Sequence, residues 1–184
     1  MCVKALEVNP KAAEKIRSQI DDGTADVCGH GYGWDNHWLF ESEEAEREAI
    51  DKATRGMQET LGVDPKDMGW YSKYAPSPFT RRLLQQAGYL YDCDAYNDEL
   101  PYWVDAGTKP VLVLPYSMVL NDVKFASGAA KIATGGEFFN GCREGIDQLL
   151  DEANYPGGTA KMLSIGLHPR LIGHPSRVRT HFVL

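Results

Sequence analysis

Residues 111–115 read Val-Leu-Val-Leu-Pro, a run without a polar side chain. A short apolar run of this kind is typical of a strand buried on both faces, as the strands of parallel sheets are. Further short strand candidates at 26–30, 68–72 and 89–92 alternate with helical patterns along the chain. This alternation predicts an α/β fold with parallel strands.

Capping residues mark the helices that separate these strands. A helix is predicted from the cap Asn9 to about residue 20, and another from the cap Ser42 to about residue 61. The remaining predictions are helices over about 78–88 and 137–153, a last strand over 161–168, and loops over about 94–110 and 116–135.

The composition indicates one globular domain of moderate size. The chain has 184 residues, 43% of them hydrophobic, and a formal charge of −7. It is short for a complete (β/α) barrel, which needs roughly 250 residues. The acidic balance argues against a nucleic-acid partner, since phosphate contacts need clustered Lys and Arg. The chain has no apolar run of about 18 residues, so no membrane partner is expected, and no signal peptide is visible, so a cytoplasmic location is expected.

Polar and aromatic residues cluster where each predicted strand ends. In parallel α/β folds, ligands bind beyond the carboxyl ends of the strands. We therefore expect these loops to meet at one mouth, with His30 and His168 facing each other. The alternative is that the aromatic side chains only pack the rim of the sheet. The clusters lie at 29–34, 70–76, 91–96, 115–122 and 166–170.

A family likeness rests on segments within and around these clusters. They are Cys-Gly-His-Gly-Tyr-Gly-Trp at 28–34, Gly-Trp-Tyr-Ser at 69–72 with Pro76 and 80–82, the stretch 91–103, and Leu-His-Pro-Arg-Leu-Ile-Gly at 167–173. With them the chain resembles the polysaccharide deacetylase (NodB-homology) superfamily, and within it the allantoinase-like branch.

The resemblance covers about residues 5–177 and implies a partial (β/α) barrel of parallel strands. It also implies that residues 1–184 form a single, incomplete domain. The family's opening strands and final helix are missing, so we expect a chain truncated at both ends. Secretion is the alternative to the expected cytoplasmic location if an upstream segment is missing.

The resemblance implies hydrolysis of a non-peptide carbon–nitrogen bond. The expected substrate is either an N-acetylglucosamine oligomer of the chitin type or allantoin. Metal-dependent relatives hold zinc with one Asp and two His, but here Trp34 stands where the second His is expected after His30. The family's metal and base Asp residues belong to a motif upstream of this chain. No cofactor is therefore expected, and zinc only if ligands come from outside the chain.

The resemblance also implies the catalytic residues His30, Asp94 and His168. His30 and Asp94 would orient the substrate amide or a water molecule, and His168 would pass a proton to the departing nitrogen. Lys73 and Arg170 would stabilise negative charge on oxygen.

Further residues are expected to line the pocket. Four aromatic residues either stack on a sugar ring or flat ureide, or belong to the core: Trp34, Trp70, Tyr74 and Trp103. Asp92 and Asp94 line the pocket or form turns, and Arg170 binds a substrate carbonyl or pairs with a carboxylate. His37, His174 and His181 are expected at the surface.

Two other interpretations stay open. The chain is alternatively a non-catalytic remnant that binds carbohydrate or a partner protein, or a plain α/β scaffold without a site. The missing barrel units would expose strand edges, and a homo-oligomer is one way to cover them.

Overall fold

The computed structural model describes residues 2–126 and 132–178. Contacts between Cα atoms divide the chain into two compact units. The first unit comprises residues 1–95 and 101–114, and the second comprises residues 96–100 and 115–184.

The first unit contains a sheet that has five strands within the described residues, in the order β1-β2-β3-β5-β4. The first four in this order run parallel, while β4 pairs antiparallel with β5. The predicted α/β class with parallel strands is therefore confirmed. The strands are β1 (Val27–Gly29), β2 (Met68–Trp70), β3 (Tyr91–Asp92), β4 (Tyr102–Asp105) and β5 (Pro110–Val113).

Strand β4 lies inside the segment 94–110, so the prediction of a loop throughout that segment was wrong. Tyr102 and Val104 are half-buried and alternate with the exposed Trp103 and Asp105. Aromatic and β-branched residues in this alternation favour a strand with one covered face. The signal was present over four residues, but the surrounding turn residues obscured it.

Helices α1 (Val3–Glu7), α2 (Pro10–Asp21), α3 (Glu43–Leu61) and α4 (Thr80–Ala87) belong to the first unit. The predicted caps are confirmed: the Asn9 side chain accepts a hydrogen bond from the Ala12 amide, and Ser42 accepts one from the Ala45 amide. Helix α1 was not predicted. No helix within the described residues is both long and apolar enough to span a bilayer.

One face of the sheet packs against the helices. Met68 and Trp70 of β2 are fully buried in a core with Ile50 and Met57 of α3 and Leu83 of α4. Trp70 is thus a core residue, which settles the alternative left open by its sequence.

Gly69 lies between these two residues, and Tyr91 is its partner on β3. The Tyr91 ring occupies the space that a Cβ at Gly69 would need. The strands can therefore pack here only because residue 69 has no side chain.

The second unit contains α5 (Gly135–Asn154), α6 (Pro169–Ile172) and α7 (Pro175–Val178), with a 3-10 turn at Asp122–Phe125. Its buried residues include Phe125, Phe138 and Cys142. The predicted strand at 161–168 was wrong, since only Gly166 forms a bridge, with Asn121. Apolar residues alone do not make a strand without a neighbour to complete its hydrogen bonds along its length.

His37 was expected at the surface, but it is buried, with 2% of its area exposed. Its Nδ1 lies 2.9 Å from Oε1 of the fully buried Glu46 at the start of α3. The hydroxyls of Ser77 and Thr80 also donate hydrogen bonds to Glu46. His174 is exposed as predicted, and His181 lies outside the described residues.

Glu46 therefore connects the loop after β1 to the loop after β2. Burial raises the pKa of its carboxyl group, but the hydrogen bonds from His37, Ser77 and Thr80 outweigh that effect and leave the pKa below its ordinary value. A carboxylate held by three donors fixes both loops to the first turn of α3.

We expect Glu46→Ala to lower the free energy of unfolding by about 3 kcal/mol, because it leaves His37 and two hydroxyls buried without their acceptor. Glu48→Ala, at an exposed position of the same helix, is the control and should change stability by less than about 0.5 kcal/mol. Urea unfolding at pH 7 measures the stability of both variants.

The stabilising contribution of Glu46 is present above its ordinary pKa and is lost as the pH falls through its lowered folded-state pKa. The difference in free energy of unfolding between the wild type and Glu46→Ala should therefore shrink in acid. Equal unfolding midpoints at pH 7 would contradict the assignment.

Candidate active site

Asp94 follows β3 in the first unit and is buried, with 7% of its area exposed. Its Oδ1 accepts a hydrogen bond of 2.7 Å from the Ser72 amide. Among the described residues, Oδ2 has no hydrogen-bond partner. Burial and the negative charge of Asp92 raise the pKa of Asp94 to about 7, against the opposing effects of Ser72 and Arg81. Such a carboxyl group can both accept and release a proton near neutral pH.

Asp92 lies beside it and is 1% exposed. Its Oδ1 accepts a hydrogen bond of 2.8 Å from the Asp94 amide, and its Oδ2 lies 2.7 Å from Nε of Arg81. Both oxygens of this expected substrate-binding residue are thus bonded within the protein. Sequence reasoning missed the part played by Arg81, which lies on α4, eleven residues before its partner.

His30 follows β1 and is half-buried. Its Nδ1 is hydrogen-bonded to the carbonyl oxygen of Tyr71. Its ring stacks on the Tyr71 ring with centroids 5.3 Å apart and planes 6° from parallel. Since a carbonyl only accepts, Nδ1 is the donor, and in the neutral ring Nε2 carries the lone pair. The loops after β1 and β2 therefore fix the orientation of this imidazole.

Lys73 brings together two of the predicted aromatic residues. Its Nζ donates a hydrogen bond of 3.1 Å to the Trp34 carbonyl oxygen. The same ammonium lies 4.9 Å from the Trp34 ring centroid and 5.1 Å from the Tyr74 ring centroid. These rings are 49% and 69% exposed, so they are not core residues. The group offers a positive charge between two flat apolar surfaces.

Tyr74 has a φ of +64°, in the left-handed region that non-glycine residues seldom occupy. Strained backbone of this kind clusters at ligand sites. Trp103, the third predicted aromatic residue, lies on β4 and is also exposed, at 68%.

The second unit holds a histidine–carboxylate pair. Nδ1 of His168 lies 2.6 Å from Oδ1 of Asp122, which is fully buried. Oδ2 of Asp122 accepts hydrogen bonds from the backbone amides of His168, at 2.7 Å, and Ile172, at 3.2 Å. The carboxylate therefore fixes both the ring and the first turn of α6, so that Nδ1 donates and Nε2 is left for proton exchange. Arg170, in the same turn, is exposed.

Asp122 was not singled out from the sequence, because no spacing rule links residues 46 positions apart. His30 and Asp94 belong to the first unit and His168 to the second. The expected meeting of the two imidazoles therefore stays a prediction.

The described residues do not fit the zinc site that the family implies. Within 2–126 and 132–178, no three His, Cys, Asp or Glu side chains are placed to hold a metal ion. Trp34 offers an indole N–H, which donates only, where a second histidine ligand is expected. The side chains in these two ranges therefore do not make up a zinc centre by themselves.

No family model matches the chain. It is 31% identical, over 96% of its length, to a protein of Schizosaccharomyces pombe that carries the name of a polysaccharide deacetylase. Among solved structures, it is similar to the Puue allantoinase, with a TM-score of 0.81 and 38% identity over 96% of this chain. It is also similar to a Pseudomonas aeruginosa PAO1 protein that carries the name of a polysaccharide deacetylase, with a TM-score of 0.79 and 41% identity over 96% of this chain.

The chain spans 57% of the length of the Schizosaccharomyces pombe protein and 56% of each of the two solved chains. The resemblance to the polysaccharide deacetylase superfamily and its allantoinase-like branch, first drawn from short motifs, is confirmed.

We expect Asp122→Asn to disturb the orientation of His168. An amide has one acceptor oxygen, so it cannot serve the imidazole and two backbone amides as the carboxylate does. Proton–nitrogen NMR of the His168 ring should show loss of the downfield Nδ1–H resonance. Asp147→Asn, at an exposed position of α5, should leave that resonance in place. An unchanged resonance in Asp122→Asn would show that the carboxylate does not hold the ring.

Proposed function

Because the chain belongs to the family of polysaccharide deacetylases and allantoinase-like hydrolases, we propose that it hydrolyses a non-peptide carbon–nitrogen bond. The observation that carries this proposal is the buried Asp94 carboxyl group, whose pKa is raised to about 7 and whose Oδ2 has no partner among the described residues. A group of this kind is suited to take a proton from a water molecule.

In the proposed reaction, water attacks the acyl carbon and its proton passes to Oδ2 of Asp94. Nε2 of His30 orients the water or the amide. The Lys73 ammonium stabilises the negative charge that develops on the acyl oxygen, and Arg170 is proposed for the same role. The carbon–nitrogen bond then breaks as His168 gives a proton to the departing nitrogen, leaving an acid and an amine.

A cyclic ureide such as allantoin is the first proposed substrate. Trp34 stands where a second metal-binding histidine is expected, which favours the metal-independent, ureide side of the family. One of the similar structures is named an allantoinase. A planar ureide also suits the Lys73 ammonium and the exposed Trp34 and Tyr74 rings. An N-acetylglucosamine oligomer is the second candidate, since the same rings can stack on a sugar.

A non-catalytic binding role is the alternative from another class. It is favoured by the exposed Trp34, Tyr74 and Trp103 rings, which suit carbohydrate binding without any proton transfer. The cytoplasmic location, the homo-oligomer, the absence of zinc and the absence of nucleic-acid and membrane partners remain predictions.

The direct test is hydrolysis of allantoin and of chitin oligomers, each with and without chelator. We expect allantoin hydrolysis that does not depend on chelator. His168→Ala should reduce it by at least about 100-fold, as loss of an acid catalyst does. The exposed His174→Ala is the control and should keep full activity. Binding of chitin oligomers without hydrolysis of either substrate would replace the hydrolase with the binding role.

The rate should depend on the ionisation of Asp94. Because the ionised form accepts the proton, kcat/KM should rise with pH and level off above a midpoint of about 7. Asp94→Asn should remove the activity, while Asp98→Asn, at an exposed position, should not. A kcat/KM that is flat between about pH 5 and 8 would exclude Asp94 as the base.

A further inference from the structure

We propose that Arg81 and Asp92 form a positioning pair that holds the backbone and the carboxyl group of Asp94 in place and sets its charge. This inference rests on the proposed hydrolase, in which Asp94 is the proton acceptor. It reassigns Asp92, which the sequence placed among the substrate-binding residues.

The geometry of the turn after β3 carries the inference. The Asp94 amide donates to Oδ1 of Asp92 at 2.8 Å, and Nε of Arg81 donates to Oδ2 of Asp92 at 2.7 Å. Nη2 of the same guanidinium donates to the Asp94 carbonyl oxygen at 3.3 Å. One arginine from α4 is thus hydrogen-bonded to the Asp92 side chain at one end of the turn and to the Asp94 carbonyl oxygen at the other. A planar guanidinium suits this arrangement, because its N–H groups lie on separate nitrogens held in one rigid plane, whereas all the donors of an ammonium leave a single nitrogen.

Substrate contact is not needed to explain either residue. Asp92 is 1% exposed, and both its oxygens already accept bonds from the protein. Arg81 has a half-buried side chain and is bound to two acceptors at once. The carboxyl group that keeps a buried oxygen without a partner, among the described residues, is that of Asp94. The pair therefore supports the reacting group and does not itself meet the substrate.

The electrostatic effects of the two partners oppose each other. The groups that face Asp94 are the charged Asp92 and Arg81, the amide and side chain of Ser72, and the Cys28 and Cys93 thiols. The negative charge of Asp92 raises the pKa of Asp94, whereas the positive charge of Arg81 lowers it. Removing the charge of Asp92 should therefore lower the pKa of Asp94, whereas removing the charge of Arg81 should raise it. Loosened packing would not produce this opposition.

The test is a carbon-13 NMR titration of the Asp94 carboxyl carbon. The wild-type protein should titrate with a midpoint of about 7. Asp92→Asn should lower the midpoint by about one pH unit and Arg81→Gln should raise it by a similar amount, while the double variant should return towards the wild-type value. Arg82→Gln is the matched control, since Arg82 is an exposed neighbour that pairs with Glu43, and it should leave the midpoint unchanged.

Arg81→Lys separates positioning from charge and stands in for Arg81→Gln should that variant unfold. It should keep the midpoint within a few tenths of wild type but lower kcat about tenfold with little change in KM, because the fork is lost while the charge remains. Midpoints that move in one direction for both single variants, or not at all, would overturn the positioning pair. So would a wild-type kcat in Arg81→Lys.

The two proposals fail separately. If neither allantoin nor chitin oligomers are hydrolysed but the opposed midpoints are observed, the hydrolase is wrong and the positioning pair stands as a property of the turn. If hydrolysis proceeds and the midpoints do not move, the hydrolase stands and the pair is refuted.

Discussion

Parallel strand pairing is the constraint on which the first unit depends. Because β1, β2 and β3 run in one direction, the loops that follow them leave from the same edge of the sheet. His30, Lys73 and Asp94 each come from one of these loops. Their shared location therefore follows from chain direction, although the residues are more than sixty positions apart at the extremes. The strands themselves are only two to four residues long, so the helices and side-chain bonds must hold the loops in place.

Two buried carboxyl groups are hydrogen-bonded to these loops, with different consequences for their pKa values. Glu46 receives hydrogen bonds from three side chains, and its pKa falls below its ordinary value. Within the described residues, the Asp94 carboxyl group is hydrogen-bonded to the backbone amide and the side chain of Ser72 alone, lies beside Asp92, and its pKa rises to about 7. Burial raises the pKa of both carboxyl groups. The number of donors and the sign of the neighbouring charge therefore decide whether each pKa ends below or above its ordinary value. The first arrangement fixes loops, and the second leaves a proton that can move near neutral pH.

Local patterns were enough to predict much of the fold. The caps Asn9 and Ser42 located two helices because capping is a property of a few adjacent residues. Periodicity failed at 161–168, where the apolar residues are right for a strand but pairing partners decide the structure. The site was predicted only as a set of single residues, since Asp122 is joined to His168 by tertiary contact and no local signal announces it. The family resemblance predicted His168, whereas its carboxylate partner Asp122 could be identified only from the fold.

The Gly69 and Tyr91 contact limits how this sheet can evolve. The phenol ring fills the volume beside β2 that any side chain at residue 69 would enter. A larger residue at 69 is therefore compatible with the fold only after the aromatic ring at 91 has been lost, and the intermediate that has neither group leaves a gap in the packing. The two positions should covary among relatives, with glycine at one accompanying an aromatic residue at the other.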